Sequence, residues 1–221
     1  MRIRAMVFDF DGTLARLTID FALMKRKLAA LASAFLPRPP APGPTPALEW
    51  LDELAARIGA EDPDQGKEFH SRGRLVITAM ELDAAKEGEL FPGTRPLLAM
   101  LARRGVRTGI ITRNCTAAVR RVFPDVRESC GVFVPREDAP RVKPDPAHLL
   151  AALAALDTPP HDALMVGDHP LDIETARRAG AKSAAVASGA TGSEALSGAG
   201  PDFLAQDLRG LIDQLTARGL L

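Results

Sequence analysis

The sequence has no net charge, few cysteines and no long apolar run. Lysine plus arginine and aspartate plus glutamate both number 28, so overall charge does not favour binding to nucleic acid or to an anionic membrane. The two cysteines, Cys115 and Cys130, are too few for a disulfide framework and lack the spacing of a metal site. We therefore expect a protein of the reducing cytoplasm.

Membrane and export segments are not expected either. No run of about 18 uncharged apolar residues occurs, so no segment is expected to span a membrane. The apolar run near the N-terminus stops at Asp9, which is too early for a signal peptide. With 221 residues, of which 46% are hydrophobic, the chain can form one larger domain or a domain with an insertion.

The apolar run itself leads into a pair of aspartates. Met6, Val7 and Phe8 predict a buried strand, and Asp9 then stands at its carboxyl end, where open α/β sheets bind ligands. Asp9 and Asp11 would repel each other unless a cation lies between them or one is protonated. A plain turn at Asp11-Gly12 is the alternative, whereas an EF-hand calcium loop would need glycine at the position of Leu14.

From Phe91 onward, apolar strands alternate with helical segments. This alternation predicts an α/β fold with a mainly parallel sheet and helices on both faces. The strands that we predict after the one at Met6–Phe8 cover residues 106–111, 131–134, 163–166, 183–187 and 203–204.

Residues 16–90 differ from the rest, because they have helical periodicity without a convincing strand. We predict a helix after Asp20, a second at 47–58, and a third helical region at 64–86 with a break near Gly73. The proline-rich stretch 37–46 fits a stiff connector better than a PxxP ligand. The expected layout is an α/β core domain at 1–15 and 91–221, with a helical domain at 16–90 placed over the site as a lid.

Polar residues also follow three later strands. Thr112 ends one strand, Lys143 precedes a proline-rich turn, and Asp168 and Asp172 follow Gly167. Each alone has an ordinary structural explanation, such as a helix N-cap or a solvated lysine. At successive strand ends of one sheet, however, they predict a shared site.

Together with Asp9-Phe10-Asp11-Gly12-Thr13, these residues resemble the four motifs of the haloacid dehalogenase-like (HAD) hydrolase superfamily. The motifs occur in the order of that family, and the helical insertion lies where the family places its C1 cap domain. The resemblance implies a Rossmann-like core, and it is greatest to phosphoglycolate phosphatase and related small-metabolite phosphatases. Dehalogenases and phosphonatases of this fold lack an aspartate at the position of Asp11. The presence of Asp11 therefore favours hydrolysis or transfer of a phosphate monoester.

The resemblance and the chemistry of phosphoryl transfer together suggest a role for each residue. Asp9 would attack phosphorus and form an aspartyl-phosphate, and Asp11 would exchange protons with the leaving group and with water. Mg²⁺ would be held by Asp9, the Asp11 carbonyl and Asp168, with Asp172 supporting the metal ligands. The groups predicted to be catalytic are Asp9, Asp11, Thr112 and Lys143, and those predicted to bind substrate are Gly12, Thr112, Arg113, Asn114 and Lys143.

The expected partner is a small phosphorylated metabolite, with neither nucleic acid nor membrane involved, and the protein would be a monomer or homodimer. Two other functions stay open: a phosphomutase of the β-phosphoglucomutase type, and a non-catalytic module that binds metal or phosphate. The insertion would choose the substrate. The candidate contacts in and beside it are Arg16, Lys25, His70, Arg72 and Arg74.

Overall fold

Strand β1 (Ala5–Phe8) lies in the middle of the main sheet of the protein. A computed structural model describes residues 2–221 of the chain. It divides into two compact units, which we call the core unit (the residues up to Leu17 together with Ala85–Leu221) and the cap unit (Thr18–Ala84).

The main sheet of the core unit is entirely parallel within the described residues, with the strand order β5-β4-β1-β6-β7-β8. In register, Ala5 of β1 faces Arg107 on one side and Ala163 on the other. The prediction of a mainly parallel α/β sheet is therefore confirmed. The strands that join β1 are β4 (Arg107–Ile111), β5 (Val132–Val134), β6 (Ala163–Gly167), β7 (Lys182–Val186) and β8 (Phe203–Ala205).

Helices cover the sheet because β1 exposes apolar side chains on both faces. Ala5 and Val7 pack with residues of two helices on one face, and Met6 and Phe8 on the other face are equally inaccessible to solvent. The helices of the core unit are α4 (Thr94–Arg103), α5 (Thr116–Val122), α6 (Val126–Ser129), α7 (Pro146–Ala155), α8 (Pro170–Ala179), α9 (Ser193–Gly198) and α10 (Leu208–Ala217), with a 3-10 turn at Pro160–Asp162.

A small antiparallel pair, β2 (Ala15–Arg16) and β3 (Glu89–Leu90), carries the chain out of the core unit and back into it. We predicted no strand in this region, because two residues are too few to show an alternating pattern. The pairing brings the two crossings together, so the cap unit is an insertion whose ends start from one short ladder.

The cap unit is helical, with α1 (Phe21–Ala32), α2 (Ala47–Gly59) and α3 (Pro63–Ala84). Asp20 begins α1 as predicted, since its carboxylate accepts a hydrogen bond of 2.7 Å from the Leu23 N–H. The predicted break near Gly73 is wrong, because α3 runs through it. A β-carbon at Gly73 would lie 2.3 Å from the Leu51 side chain, so close packing between helices accounts for this glycine.

The proline-rich stretch forms the connection between α1 and α2. Lys25 of α1 donates hydrogen bonds to the carbonyls of Gly43 and Thr45, at 2.6 and 3.2 Å, which ties this connection to the helix. Within residues 2–221, none of the helices combines the length and apolar character that crossing a membrane requires.

Candidate active site

Three neighbouring strands deliver the central residues of the site. Asp9 follows β1, Thr112 follows β4 and Asp168 follows β6, and these strands are adjacent and parallel. Their carboxyl ends therefore meet at one edge of the sheet. The Asp9 N–H donates a hydrogen bond of 2.8 Å to the Val166 carbonyl, which continues the β1–β6 ladder up to the site.

Lys143 is the buried cation of the site. Its Nζ lies 2.7 Å from Asp9 Oδ1 and 2.6 Å from Asp172 Oδ1, and its side chain is only 2% exposed. Burial alone would lower the pKa of Lys143, but the negative charges of Asp172 and Asp9 outweigh it, so the pKa is raised. The lysine therefore stays charged and fixes one oxygen of Asp9.

Three carboxylates cluster beside Lys143, and two of them contact it. Oxygens of Asp9, Asp168 and Asp172 lie within 4.8 Å of one another. Burial, with the charges of Asp9 and Asp172, raises the pKa of Asp168 to about 8. Burial also raises the pKa of Asp172 to about 6, although Lys143 partly opposes it. The excess of negative charge and the all-oxygen donor set fit a hard divalent cation such as Mg²⁺.

The backbone closes tightly around Asp168. A β-carbon at Gly12 would lie 2.2 Å from Asp168 Oδ2, and one at Gly189 would lie 1.8 Å from the same atom. Gly12 also has φ +79°, a conformation that favours glycine. The Thr13 hydroxyl donates a hydrogen bond of 3.3 Å to Asp168 Oδ1, and the Ser188 hydroxyl donates one of 2.7 Å to the Gly12 carbonyl.

Asp11 is not one of the three clustered carboxylates. Its Oδ1 accepts a hydrogen bond of 2.9 Å from the N–H of Leu17, just after β2. The side chain of Asp11 is thus attached to the start of the chain crossing, whereas Asp172 supplies the third clustered carboxylate. A metal contact from the Asp11 carbonyl stays a prediction.

The loop after β4 carries the other predicted substrate contacts. Thr112 is buried, and its Oγ1 accepts a hydrogen bond of 3.1 Å from the Asn114 N–H. Asn114 is also buried, and its Nδ2 has no hydrogen-bond partner among the described residues. The guanidinium of Arg113 donates a hydrogen bond to the Lys143 carbonyl, so this side chain contacts the motif that holds the lysine.

The charged candidates near and in the insertion are largely engaged with partners in their own unit. Arg16 and Glu89 face each other across β2 and β3 at 3.6 Å, with more than half of each side chain exposed. The other contacts are Lys25 with the Gly43 carbonyl, His70 with Asp52, and Arg72 with Glu68. None of these contacts identifies a substrate-recognition residue.

Sequence reasoning missed two parts of the site. One is the turn after β7, where Ser188 and Gly189 touch the motif residues, and the only signal was a glycine after an apolar strand. The other is His148, which contacts the Lys143 backbone from inside α7 and follows no recognised pattern.

The motifs and their geometry agree with a comparison with known families. The family model described as haloacid dehalogenase-like hydrolase matches residues 3–180. The chain belongs to the haloacid dehalogenase-like hydrolase family. This match spans both the double-aspartate strand end and the Gly167–Asp172 turn, and it confirms the expected family and an enzyme of the hydrolase class.

Individual members of the HAD-like family show the same relationship. A phosphoglycolate phosphatase from Rhodospirillum rubrum is 31% identical over 191 residues, which cover 80% of this chain and 76% of that protein. A pyrophosphatase PpaX from Bacillus cereus is 35% identical over 223 residues, with 98% of each chain covered. The crystal structure of a hydrolase from Pseudomonas syringae has a TM-score of 0.68 at 22% identity, covering 97% and 98% of the two chains, and shows the shared fold.

Proposed function

We propose that the protein is a Mg²⁺-dependent phosphatase that cleaves a phosphate ester of a small metabolite through an aspartyl-phosphate on Asp9. The observation that supports this most is the Lys143–Asp9 contact of 2.7 Å beside the Asp168 carboxylate. An oriented carboxylate next to a divalent-cation site is what phosphoryl transfer to an aspartate requires.

The first step forms the phosphoenzyme. Lys143 holds Asp9 Oδ1, so Oδ2 attacks phosphorus while the bond from phosphorus to the ester oxygen breaks. The leaving oxygen takes its proton from Asp11.

The second step releases inorganic phosphate. Asp11, now ionised, removes a proton from a water molecule whose oxygen attacks phosphorus, and the bond between phosphorus and Asp9 breaks. Asp9 returns as a carboxylate and Asp11 as an acid, so the cycle closes with one water consumed. The net reaction is hydrolysis of one phosphate ester.

The phosphoryl oxygens need donors and positive charge. We assign them to Thr112, to the backbone at Gly12, to Lys143 and to the Asn114 amide, whose Nδ2 is buried without a partner among the described residues. Mg²⁺ held by Asp9, Asp168 and the Asp11 carbonyl would neutralise charge on the phosphoryl group. Asp172 keeps Lys143 in place, and Arg113 supports the Lys143 backbone.

Two substrates should be tested first, because the names of two relatives contain them. Phosphoglycolate is a phosphate monoester of a small acid, whereas pyrophosphate is a phosphoanhydride with a better leaving group. We favour a monoester, since Asp11 offers a proton that a poor alkoxide leaving group needs.

Both described cysteines are free thiols, which supports a cytoplasmic setting.

The test measures release of inorganic phosphate from phosphoglycolate, pyrophosphate and p-nitrophenyl phosphate with Mg²⁺. We expect turnover that stops with EDTA and returns with Mg²⁺, and that is absent in Asp9→Asn. Asp162→Asn, at an acid near the opposite ends of the strands, serves as the control and should keep wild-type turnover. Full activity in EDTA, or full activity of Asp9→Asn, would contradict the proposal. In a parallel assay with a sugar phosphate, transfer of phosphate between sugar positions without release would instead identify a mutase.

A further inference from the structure

The segment that carries Lys143 has few ways to anchor its backbone. Pro144 and Pro146 have no N–H, and the Asp145 N–H turns back to the Val142 carbonyl at 3.0 Å. The Lys143 N–H instead donates a hydrogen bond of 3.2 Å to Nδ1 of His148. One side chain therefore holds the main chain of the lysine from its N–H side.

The other nitrogen of the same ring reaches the next strand. His148 Nε2 lies 3.0 Å from the carbonyl oxygen of Val134, the last residue of β5. The N–H of Thr112 donates to that same carbonyl at 3.3 Å. The ring thus joins the Lys143 backbone to the carbonyl on which the Thr112 backbone is aligned.

These two partners determine which nitrogen of the ring carries the proton. A backbone N–H can only donate, so Nδ1 must be unprotonated, and a carbonyl can only accept, so Nε2 must carry the proton. His148 is fully buried, and burial lowers the pKa of its ring to about 4, although the bond to Val134 partly opposes this. The charges that act on the ring are those of Lys143 and Arg113, which disfavour a cation, and of Asp9, which favours one.

We propose that His148 is a positioning residue that fixes Lys143 relative to Thr112 through the Val134 carbonyl. The proposal rests on the proposed function for its effect on rate, because Lys143 orients Asp9 for attack. The two bonds of the ring reach the Lys143 N–H and the carbonyl to which the Thr112 N–H is bonded.

Three variants separate the two bonds. His148→Leu removes both, His148→Asn keeps an acceptor near Nδ1, and His148→Gln keeps a donor near Nε2. With p-nitrophenyl phosphate and Mg²⁺, we expect His148→Leu to lower kcat by about 100-fold while KM stays within about twofold, because the nucleophile is misaligned. His148→Asn should recover more of the lost kcat than His148→Gln. Leu153→Ala in the same helix is the control, since it opens the core without touching Lys143 and should keep kcat.

Two measurements do not depend on turnover. Nitrogen-15 NMR of the wild-type ring at pH 7 should show a neutral ring protonated at Nε2, and hydrogen exchange of the Lys143 amide should be about tenfold faster in His148→Leu. A cationic ring, a ring protonated at Nδ1, or unchanged exchange would overturn the proposal, as would wild-type kcat in folded His148→Leu. If the wild type hydrolyses no phosphate ester while the NMR and exchange results hold, the proposed function fails and the positioning role stands.

Discussion

Asp168 shows how individual residues set the geometry of the site, because two glycines leave room for its carboxylate. Substitution of Gly189 by alanine places a methyl group where Asp168 Oδ2 now lies, 1.8 Å from the new β-carbon. The carboxylate must then turn away from its position. We expect Gly189→Ala to weaken Mg²⁺ activation by about 10- to 100-fold, the usual cost of disturbing the support of a metal ligand.

The matched control for this prediction lies three residues further on. A β-carbon at Gly192 would have no heavy atom within 4 Å, so Gly192→Ala should activate with Mg²⁺ as the wild type does. The measurement is the Mg²⁺ concentration that gives half-maximal phosphate release, with isothermal titration of Mg²⁺ as a check. Equal Mg²⁺ dependence in both variants would show that Gly189 does not position Asp168.

At the same scale, the sequence is informative where a polar residue follows an apolar strand. Asp9, Thr112 and Asp168 could be found in this way, since adjacent parallel strands bring their ends together. Gly189 and His148 could not, because neither residue type is unusual where it stands and no sequence pattern indicates their positions beside Asp168 and Val134. Asp11 itself was predicted, but the hydrogen bond that it accepts from the Leu17 N–H was not, because this bond lies beside a strand of only two residues.

Helices α2 and α3 pack closely at glycines. Replacing such a glycine by alanine would stabilise an isolated helix but destabilise the packed protein. A β-carbon at Gly66 would lie 2.7 Å from the Gly59 Cα and 2.9 Å from the Ala55 carbonyl oxygen, both backbone atoms that cannot rotate away. Alanine favours a helix by about 1 kcal/mol over glycine, whereas overpacking costs about 1–3 kcal/mol. We expect Gly66→Ala to lower the free energy of unfolding by about 1 kcal/mol.

Urea unfolding followed by circular dichroism measures this difference. Gly198→Ala, in α9, is the control, because a β-carbon there would meet no heavy atom within 4 Å. It should be neutral or stabilising. A more stable Gly66→Ala protein would mean that helix propensity outweighs the close approach of the two helices.

The insertion as a whole can be tested by removing it. The two crossings pair as β2 and β3, and Arg16 faces Glu89, so a short linker can replace residues 18–84. We expect the shortened protein to bind Mg²⁺ through the core carboxylates and to lose the preference of the parent among phosphate esters. Substrate ranking by phosphate release is the measurement, and a folded truncation that keeps the parent's ranking would contradict a selective role for the insertion.

Helices and strands that are long enough to show a hydrophobic period were predictable, and two-residue strands were not. The helix after Asp20 and the strands around β1 follow from apolar spacing and from a capping side chain. The strands β2 and β3 have two residues each and show no period. The break expected at Gly73 reflects the weak helix propensity of glycine, which packing against Leu51 overrides in the fold.

For the whole molecule, the buried neutral His148 links folding to pH. The ring has an ordinary pKa of 6.5 when unfolded and a pKa lowered to about 4 by burial in the fold, so the unfolded chain binds the proton first as pH falls. Its contribution to stability is present above pH 6.5 and is lost as pH falls towards 4. The loss is roughly 3 kcal/mol if the full difference in pKa applies.

Replacing the histidine should therefore flatten the acid side of the stability profile. His148→Asn should show a smaller fall in the free energy of unfolding between pH 6.5 and pH 4 than the wild type, whatever its stability at pH 7. His161→Asn is the control, because the His161 side chain is 77% exposed and should leave the slope unchanged. Equal slopes in wild type and His148→Asn would mean that the buried ring takes up its proton normally.

The central claim for the whole enzyme is that the reaction passes through a phosphoryl group on Asp9. Asp11→Asn keeps this nucleophile but has no proton for the leaving group and no base for the water, a loss typically worth about 10² to 10⁴ in rate. p-Nitrophenolate leaves without much need of a proton. Asp11→Asn should therefore be phosphorylated by p-nitrophenyl phosphate with Mg²⁺ and then hydrolyse slowly.

Rapid-quench mass spectrometry of intact Asp11→Asn, mixed with p-nitrophenyl phosphate and Mg²⁺, tests this claim most directly. We predict one added phosphoryl group, mapped by peptide analysis to Asp9 and absent from the Asp9→Asn, Asp11→Asn double variant. An unlabelled Asp11→Asn protein that turns over the substrate, or a label on any other residue, would contradict the covalent route through Asp9.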